Sequence, residues 1–161
     1  MDTILYHPFP PLYDSHSRVL ILGSFPSVVS REQSFYYANK SNRFWPVLSA
    51  VYEEEITDRK EFCLRHGIAL WDVIASCSLR GSSDQSIRNV TVNPIAELIA
   101  GTEIKAVFTT GRKAGALYRK YTEIDLPHYE LPSTSAANAT MRTDDLIRYY
   151  RKIREAADEK D

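Results

Sequence analysis

Arg18-Val19-Leu20-Ile21-Leu22-Gly23 constrains the fold more tightly than any other stretch of the chain. Four consecutive branched apolar residues with no polar alternation need cover on both faces, as in a strand of a parallel sheet packed between helices. Gly23 ends the run and Ser24-Phe25-Pro26-Ser27 turns the chain at the strand's carboxyl end, where ligands gather in open α/β sheets. A long polar and aromatic loop then carries Tyr36, Tyr37, Asn39, Asn42 and Phe44 back toward this edge before a helix opens near Arg43. The loop is expected to form one wall of a pocket.

The same alternation continues downstream. Phe44, Val47, Leu48 and Val51 recur at helical spacing to about Glu53, with Pro46 tolerable in a first turn. Thr57 or Asp58 can cap a second helix that ends at His66-Gly67; Glu61 completes a capping box only if the cap is Asp58. Ile68 to Ile74 reads as a second buried strand with Asp72 where it leaves the sheet, and Arg80 to Asn89 as a long polar loop. Asn93-Pro94 opens a helix to Ala100, Ile104 to Thr110 is a third strand, and Gly111-Arg112-Lys113 starts a helix to about Tyr121. The amides and cations at that helix start suit an anion. His128 to Pro132 is a short fourth strand, and Leu146, Ile147, Tyr150 and Ile153 mark one face of a last helix, Thr143 to Ala157. The expected fold class is therefore α/β: a three-layer α/β/α sandwich around a central, mainly parallel four-stranded sheet.

The 161 residues suit one domain, 1–161, with an extended proline-rich arm at 1–17 and a frayed tail at 158–161. A net charge of -1 carries no global nucleic-acid signature, so DNA binding would rest on a local patch. Cys63 and Cys77 lack the spacing of a disulfide framework or zinc site. No apolar run approaches the ~18 residues of a membrane span, and the N-terminus is unlike a signal peptide. A cytoplasmic protein with no metal, cofactor or membrane partner is expected.

Gly23-Ser24-Phe25-Pro26-Ser27 and Leu131-Pro132-Ser133-Thr134-Ser135 together resemble the two signatures of the uracil-DNA glycosylase superfamily, a Gly-x-x-Pro motif after the first strand and a Pro-Ser motif after the last. Asn42-Arg43-Phe44-Trp45 resembles a segment of the mismatch-specific uracil glycosylase branch. The hypoxanthine-DNA glycosylase branch shows Gly-Ser-Phe-Pro-Ser, the Tyr-Tyr-x-Asn-x-x-Asn-x-Phe-Trp-Pro run and Leu-Pro-Ser-Thr-Ser, and is the branch the chain resembles throughout. The resemblance implies DNA containing deaminated bases as partner and base release, most specifically of hypoxanthine, in DNA base excision repair. Uracil or mismatch glycosylase activity is the alternative, and a non-catalytic nucleotide- or nucleic-acid-binding module is another. Phe25 stands where many members hold a catalytic Asp or Asn, and Ala136 where a proline is expected.

The resemblance also assigns roles. Asn39 is the catalytic amide, able to hold a water; apart from the resemblance, Asp72 is the alternative, because a carboxylate at a strand's carboxyl end is placed for base catalysis. Gly23, Ser24, Phe25, Pro26 and Phe44 form the base pocket, Phe44 stacking on the everted base; the other reading of Phe44 is a core aromatic on its helix. Ser133, Thr134, Ser135, Asn138 and Arg142 contact DNA, with Met141 or Arg142 as a wedge. Backbone amides near Ser24 and Phe25, or the hydroxyls of Ser133 or Ser135, could read the base. Tyr36 and Tyr37 line the pocket or pack on the core, and Asn42 braces its loop. His7, His16, His66 and His128, which have no partner spacing, are expected at surface or strand positions.

Overall fold

Residues 3–79 and 87–159 are described in the computed structural model. The apolar run of β2 (Val19–Gly23) is buried along its whole length at the centre of a four-stranded parallel sheet. Its neighbours are β3 (Ile68–Asp72) on one side and β6 (Ala106–Thr110) on the other, with β7 (His128–Leu131) beyond β6. The register sets Gly23 beside Asp72, and Thr110 beside Leu131. All four strands thus bring their carboxyl ends to one edge, from which both signature segments continue.

Helices cover this sheet. α2 (Phe44–Tyr52) buries Phe44, Val47, Leu48 and Val51 and packs on α6 (Thr143–Asp158), which buries Leu146, Tyr150 and Ile153. α3 (Arg59–Arg65) packs on β3, and α5 (Arg112–Tyr121) on β6 and β7; α4 (Ile95–Ala100) precedes β6. The start of α3 is settled by Asp58, whose side chain accepts from Glu61 N–H at 3.1 Å. A further short helix, α1 (Val28–Gln33), interrupts what reads in sequence as continuous loop. Ser27 caps it by accepting from Ser30 N–H, and Ser34 closes it in the left-handed region.

The segment read as one strand, Ile68 to Ile74, is in fact divided. At Val73 the chain leaves the parallel sheet, and β4 (Ile74–Leu79) joins a second, antiparallel sheet between β1 (Thr3–Tyr6) and β5 (Arg88–Val92). Asn93 pins this corner: its buried amide donates to the carbonyls of Asp72 and Ile74, while its N–H donates to Val73. Apolar periodicity does not mark the second sheet because Ile4 and Tyr6 are exposed and β5 is largely polar. Arg88 and Asn89 of the expected long loop belong to β5; its earlier residues, 80–86, lie outside the described residues, as do residues 160 and 161 of the expected tail.

From Thr3 on, the extended N-terminal arm is paired with both sheets. His7 N–H donates to Ala75, and Leu12 exchanges two backbone bonds with Leu70, covering the outer edge of β3. An open strand edge is thereby closed.

Candidate active site

A cavity of about 590 Å3 opens at the carboxyl edge of the parallel sheet. That volume suits a small-molecule-sized guest. Gly23, Ser24, Phe25 and Pro26 form one wall, Tyr36, Tyr37 and Asn39 another, and Ser133, Thr134 and Ser135 a third, with Asp72 and Thr110 at strand ends. Two segments separated by more than a hundred residues therefore meet around one space.

Asn42 and Arg43 join them. Asn42 Oδ1 accepts from Phe44 N–H at 2.9 Å, just before α2, and from the Thr134 hydroxyl at 2.7 Å. Arg43 donates to the carbonyls of Met141 and Asn138 at 2.7 and 3.1 Å, and its N–H donates to Thr134. On the other side, the buried Tyr150 hydroxyl donates to Pro132 at 2.6 Å. The Asn-Arg pair thus acts as a clamp between the two loops, consistent with the bracing expected of Asn42.

Phe44 takes the core position on its helix rather than the place in the base pocket. It is 0% exposed and does not line the cavity; the Tyr37 ring lies against it with centroids 3.8 Å apart and planes 11° apart. An apolar side chain on the inner face of α2 gains about 1.5–3 kcal/mol by full burial, and Phe44 takes that place. Tyr37, stacked on Phe44, lines the cavity where Phe44 does not. It adopts φ 52, uncommon for a bulky residue, and its hydroxyl meets Thr110 Oγ1 at 3.0 Å. Burial first, then the nearby Asp72 charge, pushes the Tyr36 and Tyr37 hydroxyls well above the ordinary phenol range, so both stay neutral. Tyr36 is buried and donates to Pro10, and Trp45 Nε1–H donates to Tyr36 O, so the loop is fixed to both arm and helix.

Asn39 lines the cavity, but its amide oxygen accepts from both the N–H and the hydroxyl of Ser41, at 2.9 and 2.8 Å. The second donor is an exposed hydroxyl, free to rotate. Asp72 is 5% exposed, and Oδ2 lies 2.7 Å from His7 Nε2. Its Oδ1 has no partner among the described residues and rests over Gly23, where a Cβ would come within 2.5 Å of it. Gly23 is required here by close approach rather than by backbone angle.

His7, expected at the surface or in a strand, is a buried partner of Asp72 from 65 residues away. Nothing local in sequence marks such a pair; only the fold of the arm across β3 and β4 creates it. Among the other histidines, His128 meets Thr109 Oγ1 at 2.8 Å, and burial lowers its pKa.

Of the expected DNA-contacting residues, Ser133 and Ser135 line the cavity. Their oxygens accept from Ser135 N–H and Ala137 N–H, leaving each hydroxyl proton available to donate. Thr134 is a correction: it is 2% exposed and its hydroxyl is taken by Asn42. Asn138 is half-buried and donates to Ser133 O, a bond internal to the loop. Arg142 is exposed just before α6, whereas Met141 packs partly on the core. Among the described residues, no cluster of His, Cys, Asp and Glu is arranged to hold a metal ion, and no helix is long and apolar enough to cross a membrane.

The family model of the Uracil DNA glycosylase superfamily matches residues 10–155. Two curated relatives named Hypoxanthine DNA glycosylase are each 33% identical: one from Methanosarcina barkeri over 66% of this chain and 72% of its own, and one from Methanosarcina acetivorans over 81% and 86%. A solution NMR structure of a Methanosarcina acetivorans protein, provisionally designated a uracil DNA glycosylase, superposes with a TM-score of 0.76 at 29% identity, covering 94% of this chain and 99% of that one.

Proposed function

The chain belongs to the uracil DNA glycosylase superfamily, and from that premise we propose that it is a monofunctional enzyme releasing deaminated bases from DNA, hypoxanthine in deoxyinosine foremost. The observation carrying this reading is the pairing of opposite hydrogen-bonding senses in one cavity. The N–H groups of Ser24 and Phe25 and the Oδ1 of Asp72 have no partner among the described residues, and all three residues line the same cavity. Hypoxanthine presents an O6 acceptor next to an N1–H donor, which such a set would satisfy; uracil presents the same senses at O4 and N3–H, so the preference for hypoxanthine rests on the likeness to the two curated relatives. Adenine presents the reverse senses and would leave buried polar groups unpaired, the strong form of discrimination.

An everted nucleotide would lie against Tyr37, whose ring would contribute about 1–3 kcal/mol by stacking. Charge developing on the departing base would be met by the fixed Ser24 and Phe25 donors. On the sugar side, Asn39 Oδ1 would hold the attacking water once the Ser41 hydroxyl rotates away, with the Ser41 N–H keeping the side chain oriented. Ser133 and Ser135 would donate to phosphates beside the extruded nucleotide, with Arg142 nearby on the same strand of chain. The second reading, that Asp72 activates the water, is favoured only by its position at a strand end and by its exposure to the cavity.

Duplexes carrying one deoxyinosine or one deoxyuridine, treated with alkali after incubation, test the assignment. Strand breaks at deoxyinosine are expected. Breaks confined to deoxyuridine would move the specificity to uracil, and DNA binding without base release would favour a non-catalytic module.

A further inference from the structure

The His7–Asp72 pair has a property that neither residue has alone. His7 Nδ1 faces the Phe9 carbonyl oxygen at 2.7 Å, and a carbonyl only accepts, so Nδ1 carries a proton. Nε2 faces a carboxylate oxygen at 2.7 Å, so a second proton lies between them, on one atom or the other. Imidazolium with carboxylate and imidazole with carboxylic acid are the two arrangements the geometry permits. Either way the pair as a whole is neutral.

That neutrality matters because of where Asp72 stands. Its carboxyl lines the cavity while His7 sits behind it, both side chains being almost wholly buried. Among the described residues, His7 is the only group within ion-pair distance of Asp72. The other titratable groups coupled to it, Tyr36 and Tyr37, are neutral phenols. An uncompensated carboxylate here would face a base leaving as an anion, and like charges repel strongly where water is excluded.

We propose that His7 is a positioning residue that neutralises Asp72, so that the carboxyl can accept the base N–H without opposing departure of the base anion. This rests on the glycosylase reading above. The arm is then a functional part of the site: β1 pairing with β4 and the Leu12–Leu70 bridge hold His7 at Asp72. Because the repulsion grows only as the bond breaks, His7 acts on the chemical step and scarcely on substrate binding.

Single-turnover base release from deoxyinosine duplexes tests this with full-length wild type, His7→Gln, Asp72→Asn and the double variant. Gln at position 7 can still donate to Asp72 but leaves the carboxylate charge uncompensated. We expect a loss of about 10- to 100-fold in the release rate with duplex affinity changed less than about threefold. Removing the charge as well, in His7→Gln/Asp72→Asn, is expected to restore at least tenfold of that loss, a rescue that a merely structural His7 would not produce. If His7→Gln fails to fold, the double variant is compared with Asp72→Asn alone. Equal rates support the proposal, and a further tenfold loss overturns it. No release by wild type would overturn the glycosylase reading and this role with it. Release by wild type with an unaltered His7→Gln rate, or a double variant no faster than His7→Gln, would overturn only the role of His7.

Discussion

The ring of Tyr37 lies flat on that of Phe44, 3.8 Å between centroids, so that one aromatic is core and the other is cavity wall. Tyr37→Ala is expected to lower kcat/KM for deoxyinosine DNA by about 5- to 150-fold, the range corresponding to one base–aromatic stack. Tyr37→Phe keeps the ring and is expected to stay within a few-fold of wild type. Phe44→Ala should behave differently, destabilising the fold by about 3–5 kcal/mol. Steady-state kinetics and urea denaturation on the three variants separate the two rings; equal kinetic damage with no loss of stability from Phe44→Ala would reverse the assignment.

Asn39 and Ser41 make a second pair with opposite expected behaviour. Asn39→Ala removes the side-chain acceptor to which the leading reading assigns the water and is expected to reduce base release by at least about 100-fold, with DNA affinity retained. Ser41→Ala removes the hydroxyl competing for that acceptor while its backbone N–H bond remains, and release is expected to be equal to or faster than wild type. Rapid-quench measurement of abasic sites checks both. A Ser41→Ala enzyme as impaired as Asn39→Ala would mean that the hydroxyl itself is needed.

Gly23→Ala tests the close approach of β2 to β3. The added Cβ would fall 2.5 Å from Asp72 Oδ1, and the carboxyl is too enclosed to yield without weakening its bond to His7. Stability is expected to fall by about 1–3 kcal/mol, as for overpacking elsewhere, and base release to fall with it. Calorimetry alongside the alkali-cleavage assay reads both effects; a variant indistinguishable from wild type would show Asp72 to be mobile.

His128 predicts a pH dependence of stability. Burial, reinforced by Arg119 and opposed by Glu130, lowers its pKa in the folded protein below the ordinary value of 6.5. The fold favours the neutral ring, so its contribution is complete above about pH 6.5 and declines as pH falls and the unfolded chain takes up the proton first. The decline levels off once the folded ring protonates too. Urea midpoints measured from pH 8 to pH 5 are expected to drop more for wild type than for His128→Gln, and parallel curves would contradict the assignment.

Arg43→Ala is expected to loosen the second loop from the first. Its guanidinium holds the carbonyls of Asn138 and Met141, so its loss should raise KM for DNA several-fold and quicken amide exchange between 133 and 141. Hydrogen-exchange mass spectrometry on that segment checks this directly.

What the residues declare by themselves is local and periodic. The unbroken apolar run at Val19–Leu22, the helical spacing from Phe44 to Val51 and the glycine after the first strand are each legible because a buried strand or an amphipathic helix must repeat its apolar positions. From such elements came the parallel sheet and the edge at which both signature segments lie. Whatever depends on contacts between distant segments was left to the tertiary structure. Phe44 and Tyr37 are both aromatic, and only packing against α6 and the sheet decides which is buried. Thr134 looks like its serine neighbours until Asn42, 92 residues away, takes its hydroxyl. His7 acquires its meaning from Asp72 because the arm crosses the sheet edge, and no spacing along a chain can encode the distance between side chains that the fold alone brings together.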